Sequence, residues 1–360
     1  VKPALFVSRT LHRIWSGKGL LSTFLLPLSW LVSLFVARKR RLYQSGGKHG
    51  ATSVCPVIVV GNLYIGGTGK TPVVLALVKA LQARGWSPGI ISRGYGSHLG
   101  AHAKTGRGDL DPHEFGDEPS LIARISQAPV AVHPRRSLAL RALQTHYPEV
   151  DLIIADDGLQ HLALARDVEI IVQDARGTGN GRVLPAGPLR EPASRLASVD
   201  YVITNLIAGQ AMQPLAIAGR QIRMQLGPDT VRHLVSGQTL QWADWHEHYM
   251  YASLSAVAGI GQPERFFNML RACGLKLEQT IALPDHDPYH RSPFEFLDTD
   301  LVLVTPKDAV KCARFQDERV WEVRVLPQFS DPTWLNDLDK RLRAVADEKI
   351  SKNPPANYTS

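Results

Sequence analysis

The stretch "VIVVGNLYIGGTGKTP", Val57 to Pro72, constrains the fold more than any other part of the chain. A strand-like apolar run breaks into a glycine loop that ends in Gly-Lys-Thr. The segment "PVVLALVKALQARG" (72–85) follows, with apolar residues at helical spacing and a stop at Gly85. Strand, glycine loop, Lys-Thr and helix, in that order, let backbone N–H groups and a helix N-terminus cradle phosphates. Gly66, Gly67, Thr68, Gly69, Lys70 and Thr71 are therefore the candidate nucleotide-binding residues. In that role Lys70 reaches the β/γ oxygens and Thr71 can ligate Mg²⁺. One feature departs from the usual P-loop: Tyr64 stands where the early glycine belongs. An ordinary glycine-rich βα turn is the bland alternative.

Further short runs rich in Val and Ile alternate with helix-like pieces: "PGIIS" (88–92), "APVAV" (128–132), "VDLIIA" (150–155), "VEIIVQ" (168–173) and "VDYVIT" (199–204). Several are apolar on both faces, as strands of a parallel sheet are. The expected class is α/β: a P-loop NTPase-like, doubly wound, mainly parallel sheet over 45–218. A hairpin linker over 219–250 and a smaller C-terminal α/β domain over 251–335 follow, and then a terminal helix and disordered tail over 336–360.

The formal charge of +8 raises the question of nucleic acid, but its placement argues against it. Nine of the 41 basic residues and none of the 33 acidic ones fall in residues 1–50, leaving 32 basic against 33 acidic over the rest. The body of the protein has no surplus of cations with which to neutralise a phosphate backbone. The basic end also holds "LLSTFLLPLSWLVSLFVA" (20–37), followed at once by "RKRR". As one helix this run would be about 27 Å long, short of the roughly 30 Å hydrocarbon core of a bilayer. Ser22, Thr23, Pro27, Ser29 and Ser33 lower its hydrophobicity further, and the cations lie on the wrong side for a signal peptide. A core helix is one reading. The favoured one is a membrane-associated N-terminal segment, 1–44, lying on an anionic bilayer surface at the cytoplasmic face. Cys55, Cys273 and Cys312 are far apart without CxxC spacing, which gives neither a zinc site nor a disulfide framework.

A nucleotide loop of this kind needs a second carboxylate for its metal. "VDLIIADDGLQH" supplies Asp156 and Asp157 at the end of an apolar run, Asp156 being the better metal candidate. Arg93 in "SRGYGS" sits where the carboxyl end of a parallel strand meets ligand. "QDARGTGNGRVLPAGPLREP" (173–192) has too many Gly and Pro residues for helix or strand and carries Arg176, Asn180, Arg182 and Arg190, as binding loops often do. Asp117 and Glu118 in "FGDEPSLIA", and His286 in "LPDHDPYH", carry no functional signal from spacing alone: the first pair reads as a helix N-terminus, the histidine as a loop residue.

Taken in order, "VGNLYIGGTGKTP", "SRGYG", "GDEP", "ADDGLQH", "DARGTGNGRVLPAGPLREP", "PDH" and "TPKDAVK" resemble the tetraacyldisaccharide 4′-kinase family, the lipid A 4′-kinases of bacterial inner membranes. The resemblance implies transfer of the γ-phosphoryl of ATP, with Mg²⁺, to the 4′-hydroxyl of a membrane-embedded tetraacyldisaccharide 1-phosphate to give lipid IVA. It puts Lys70 and Thr71 on phosphate and metal, Asp156 near the metal, and Asp117 with His286 as the pair that activates the sugar hydroxyl. Arg93, Tyr95, Arg136, Asp157, Gln160, His161, Asn180 and Arg190 match family positions near nucleotide or substrate. The implied surroundings are the lipid surface of the inner membrane, with no nucleic acid and no protein partner. Ile65 replaces a lysine that many relatives of this loop type carry before the two glycines, and Pro306 replaces a glutamate in the last motif. The competing reading is a membrane-attached P-loop ATPase switch of the partitioning type, and a non-catalytic lipid-binding protein is a third. A GTPase would need Asn-Lys-x-Asp, which "TNLI" (204–207) lacks.

Overall fold

The computed structural model describes residues 15, 17–45, 50–97, 100–207, 210–212, 214–215, 217–285 and 287–352. They divide into two compact units. The first holds the described residues of Val1–Asn205, Met212–Arg223 and Phe329–Ser360, the second those of Leu206–Ala211 and Met224–Gln328.

The first unit is built on strands β1 (Val57–Gly61), β2 (Pro88–Ser92), β3 (Lys104–Gly106), β4 (Val130–Val132), β5 (Leu152–Asp156), β6 (Val168–Asp174) and β7 (Tyr201–Asn205), in the order β7-β6-β1-β5-β2-β4-β3. All neighbours run parallel except β3, which is antiparallel to β4. The central strands are buried along their whole length, as their uninterrupted apolar runs require. Helix α3 (Lys70–Gln82) covers the sheet with Val73, Val74, Leu77, Val78 and Leu81, each worth about 1.5–3 kcal/mol of burial. The helices α4 (Pro112–Phe115), α5 (Asp117–Ser126) and α6 (Arg136–His146) follow in the same unit.

Two differences from the sequence expectation concern the chain ends. Residues 20–37 do not form one helix. The chain makes α1 (Leu20–Phe24), breaks at Leu25, and starts α2 (Leu26–Gln44) with Pro27 in its first turn. Proline tolerates a first turn but not a helix interior, so its position sets the break. Among the described residues no helix is long and apolar enough to cross a membrane. At the other end, the helix over Trp334–Lys352 (α10) belongs to the first unit rather than standing apart. It buries Trp334, Leu338 and Leu342, and Lys349 Nζ reaches Asp167 at 2.7 Å. The tail 353–360 lies outside the described residues.

In the second unit, β10 (Leu254–Ala258), β11 (Leu277–Ala282), β12 (Leu301–Val304) and β13 (Val320–Phe329) run parallel in the order β11-β10-β12-β13. The expected hairpin within 219–250 takes a different form: Arg220–His233 is one long strand, β8, whose far end pairs antiparallel with the short β9 (Thr239–Gln241), and α7 (Trp242–His248) comes after it. Two helices, α8 (Pro263–Ala272) and α9 (Pro306–Cys312), follow β10 and β12.

Candidate active site

The nucleotide loop leaves the carboxyl end of β1, in the middle of the parallel strands, where open α/β sheets bind ligands. Its shape is held by a few polar side chains. The buried Asn62 amide donates to the carbonyls of Tyr64 (2.7 Å) and Gly66 (3.0 Å). Arg176, fixed by Asp174, donates to the Gly67 carbonyl at 3.1 Å, and Asn205 at the end of β7 donates to that of Thr68 at 3.3 Å. Gly69, at φ +96°, makes the turn that starts α3 at Lys70. Tyr64, in place of the early glycine, is packed inside: the Arg176 guanidinium lies over its ring at 4.1 Å. Gly179 makes room for it, since a Cβ there would meet the Tyr64 ring at 3.0 Å.

Beside the loop, β5 ends in Asp156, and Asp157 turns the chain with φ +47°, a conformation aspartate tolerates better than most residues. The two carboxylates have opposite environments. Asp157 is held by Lys70 (3.3 Å) and by Arg190 through both oxygens (3.0 and 3.2 Å). Burial opposes its charge, but the two cations outweigh burial and keep its carboxyl below the usual range. Asp156 is buried; Ser92 Oγ reaches one oxygen at 3.3 Å, and the other has no hydrogen-bond partner. Burial, then the nearby charges of Glu118 and Asp157, push the Asp156 carboxyl well above its ordinary value. Arg136 lies beneath this turn and donates to the carbonyls of Asp156 and Asp157, while burial lowers its own pKa to about 10.

Asp117 opens helix α5 (Asp117–Ser126), whose preceding residue, Gly116, touches the backbone of the "SRGYG" loop. The exposed Arg93 and Tyr95 are carried by that loop. Gln160 bridges Arg190 (3.2 Å), Glu191 (2.9 Å) and the Asn62 carbonyl (3.3 Å). Burial, reinforced by Arg136 and Arg93, pushes His161 down to about 4, so its imidazole is neutral at pH 7. The arrangement offers a phosphate cradle, one buried carboxylate oxygen in need of a cation, and a carboxylate at a neighbouring helix N-terminus.

The family model for tetraacyldisaccharide-1-P 4′-kinase matches residues 21–343. The chain belongs to this kinase family. The tetraacyldisaccharide 4′-kinase of Bordetella petrii is 52% identical over 350 residues, covering 96% of this chain and 99% of that one. The protein of the same name from Pasteurella multocida is 44% identical over 315 residues, covering 87% and 93%. The LpxK crystal structure from Aquifex aeolicus, described as an "apo" form in complex with ATP, superposes with a TM-score of 0.74. It is 26% identical and covers 90% of this chain and 99% of that one.

Within this kinase fold, the long loop of 173–192 also anchors the N-terminal helices. The Asn180 amide is spent on the carbonyls of Gly17 and Ala186 and on Ser22 Oγ, all within 3.2 Å. Ser29 Oγ donates to the Val183 carbonyl at 2.7 Å. The serines that dilute the apolar run are thus the side that faces the protein. Phe24, Trp30, Leu31, Leu34 and Phe35 face outward and are exposed. His286, expected to act with Asp117, lies outside the described residues. Sequence reasoning missed Asn62, Asn205 and the nearness of Glu118 to Asp156. Glu118 was visible as an acid beside Asp117, whereas single asparagines that brace a loop follow no spacing rule.

Proposed function

We infer that this protein is an ATP-dependent tetraacyldisaccharide 4′-kinase that phosphorylates the 4′-hydroxyl of a tetraacylated disaccharide 1-phosphate to give lipid IVA. The observation that carries the reading is the placement of Lys70, at the N-terminus of α3, 3.3 Å from Asp157 in the turn where the buried Asp156 keeps an oxygen without a hydrogen-bond partner. The ATP bound by the Aquifex relative supports the same use of the loop. Family membership leaves the partitioning-type ATPase switch without support.

Thr71 and Asp156 would hold Mg²⁺, and both the orphaned buried oxygen of Asp156 and the acidic charge of Glu118 near it fit that demand. Magnesium keeps several waters and takes few protein ligands, so the lack of a cluster of three or more His, Cys, Asp or Glu side chains among the described residues is no obstacle. When bound, it neutralises charge on the β/γ oxygens. The backbone N–H groups of Gly66 to Lys70 cradle the phosphates, and Lys70 follows the charge that builds on the transferred group. Asp117 takes the proton of the 4′-hydroxyl as that oxygen bonds to phosphorus and the bond from phosphorus to ADP breaks, with His286 supporting the carboxylate. Arg93, Tyr95, Gln160, His161 and Arg190 contact nucleotide or acceptor, and Asn180 and Arg136 brace the walls.

The outward face of α1 and α2 sits in the cytoplasmic leaflet of the inner membrane, with Arg38, Lys39 and Arg41 among anionic headgroups. An enzyme held there reaches a headgroup whose acyl chains stay in lipid. Incubation with γ-labelled ATP, Mg²⁺ and the disaccharide 1-phosphate is expected to place label in the lipid. Hydrolysis of ATP with no label in lipid overturns the reading.

A further inference from the structure

The loop after β1 turns three successive carbonyls toward side chains of the first unit. Asn62 Nδ2 donates to the Gly66 carbonyl (3.0 Å), Arg176 Nη2 to that of Gly67 (3.1 Å) and Asn205 Nδ2 to that of Thr68 (3.3 Å). In a trans peptide the N–H points opposite to the C=O, so these bonds also turn the N–H groups of Gly67, Thr68 and Gly69 to the other side of the loop. A run of N–H groups facing one way is what an anion cradle requires. The donors stand at the carboxyl ends of three adjacent strands: Asn62 directly after β1, Arg176 just past β6, and Asn205 as the last residue of β7.

Of these donors Arg176 is the charged one, and it is itself firmly held. Asp174, buried at the end of β6, accepts from the Arg176 backbone N–H (3.0 Å), from Nε (2.9 Å) and from Nη2 (2.7 Å). The guanidinium also lies over the Tyr64 ring, 4.1 Å from its centre. Tyr64, which takes the place of the early glycine, is tied to the long loop that carries Arg176. On one side of it the Ile65 N–H donates to the Pro188 carbonyl at 3.0 Å, and on the other the Leu63 carbonyl accepts from the Arg190 N–H at 2.8 Å. Nη2 thus serves the Asp174 carboxylate and the Gly67 carbonyl together, a task for a planar fork and not for the point charge of an ammonium. The Nε and Nη2 atoms of Arg176 are spent on the protein.

We infer that Arg176 is a positioning residue that preorganises the phosphate cradle by holding the Gly67 carbonyl, with the Tyr64 ring as its platform. The inference rests on the reading of this loop as the ATP site.

The test joins three measurements on the full-length protein and on Arg176→Ala and Arg176→Lys: hydrogen–deuterium exchange without added nucleotide, equilibrium binding of ATP and ADP with Mg²⁺, and steady-state kinetics on the disaccharide 1-phosphate in micelles. Arg176→Ala is expected to speed deuterium uptake in the segment 62–71 several-fold while the rest of the sheet exchanges as in the wild type. ATP and ADP should both bind about tenfold more weakly, because the loop holds phosphates that the two share, and KM for the acceptor should stay within about twofold. Arg176→Lys should match the alanine variant in loop exchange and in nucleotide binding, since lysine keeps the charge and loses the fork. Wild-type exchange in the loop of Arg176→Ala, or a loss of affinity confined to ATP, would overturn the inference and make Arg176 a direct phosphate contact. Full recovery in Arg176→Lys would overturn it in favour of charge alone, and faster exchange throughout the first unit would assign Arg176 to folding. A wild-type protein that binds neither ATP nor ADP would instead sink the reading of the loop itself, and the positioning role with it. If Arg176→Ala fails to fold because the buried Asp174 is left unpaired, Arg176→Lys, which keeps a cation beside it, carries the test.

Discussion

Gly116 approaches Tyr95 so closely that a Cβ on the glycine would stand 2.6 Å from the Tyr95 carbonyl oxygen, and its φ of +91° is one that side chains rarely adopt. This contact joins two motifs, "SRGYG" and "GDEP", and fixes where Asp117 begins α5. Gly116→Ala should therefore hurt twice. Strain and displacement should cost about 1–3 kcal/mol of stability. A shift of about 1 Å in Asp117 should lower kcat on the order of 10²-fold. Thermal melts and turnover at a temperature where the variant is folded check this, and normal turnover would detach Asp117 from the chemistry.

Lys70→Ala separates fold from function. The lysine contributes an ion pair to Asp157, but Arg190 keeps both oxygens of that carboxylate occupied. Stability should change by no more than about 1 kcal/mol. Phosphoryl transfer should fall by about 10²- to 10³-fold or more, as when a transition-state donor is removed. Near-wild-type turnover would end the assignment of the loop.

Much of the fold is legible in the sequence. Val57–Gly61, Pro88–Ser92 and Val168–Asp174 emerge almost where their apolar runs lie, because a strand buried on both faces leaves an unbroken signal. The three-residue β3 does not, since Lys104–Gly106 is an edge strand with no apolar pattern. The acidic turn could be read from its place after a strand, but the opposite fates of Asp156 and Asp157 depend on Lys70, Arg190 and Glu118, which converge only in space. Asn180 looked like a ligand residue by its motif, and its geometry also makes it a fastener for the N-terminal helices. Buried amides leave no periodicity to find.

His161 provides a pH signature. Its folded pKa, about 4, lies below the ordinary value of 6.5 because burial and then Arg136 and Arg93 disfavour the charged ring. A group depressed in the folded state contributes stability that is present above the unfolded value and lost as pH falls through the folded one. The unfolded chain binds the proton first, so stability should drop between about pH 6.5 and pH 4. With solvent screening the loss attributable to His161 is on the order of 1–2 kcal/mol. His161→Gln should flatten that part of the profile in urea unfolding measured across the window. An unchanged slope would assign the acid sensitivity to other groups.

The N-terminal helices call for surface substitutions rather than deletion. Removing residues 1–44 would also take away Ser22 and Ser29, which hydrogen-bond to the 173–192 loop beside the nucleotide site, so lost activity would not report on lipid. Trp30, Leu31, Leu34 and Phe35 are about two-thirds exposed and face away from those bonds. Each such side chain buried in a bilayer contributes about 1.5–3 kcal/mol. Replacing all four with serine should therefore release the protein from vesicles containing anionic lipid while leaving thermal stability near wild type. Turnover on acceptor dispersed in detergent should persist, and turnover on acceptor in vesicles should fall. Raised salt should weaken the wild-type interaction in part only, since Arg38, Lys39 and Arg41 supply a screened attraction and the apolar side chains an unscreened one. Full co-sedimentation of the four-serine variant with vesicles would mean that another surface holds this kinase to lipid.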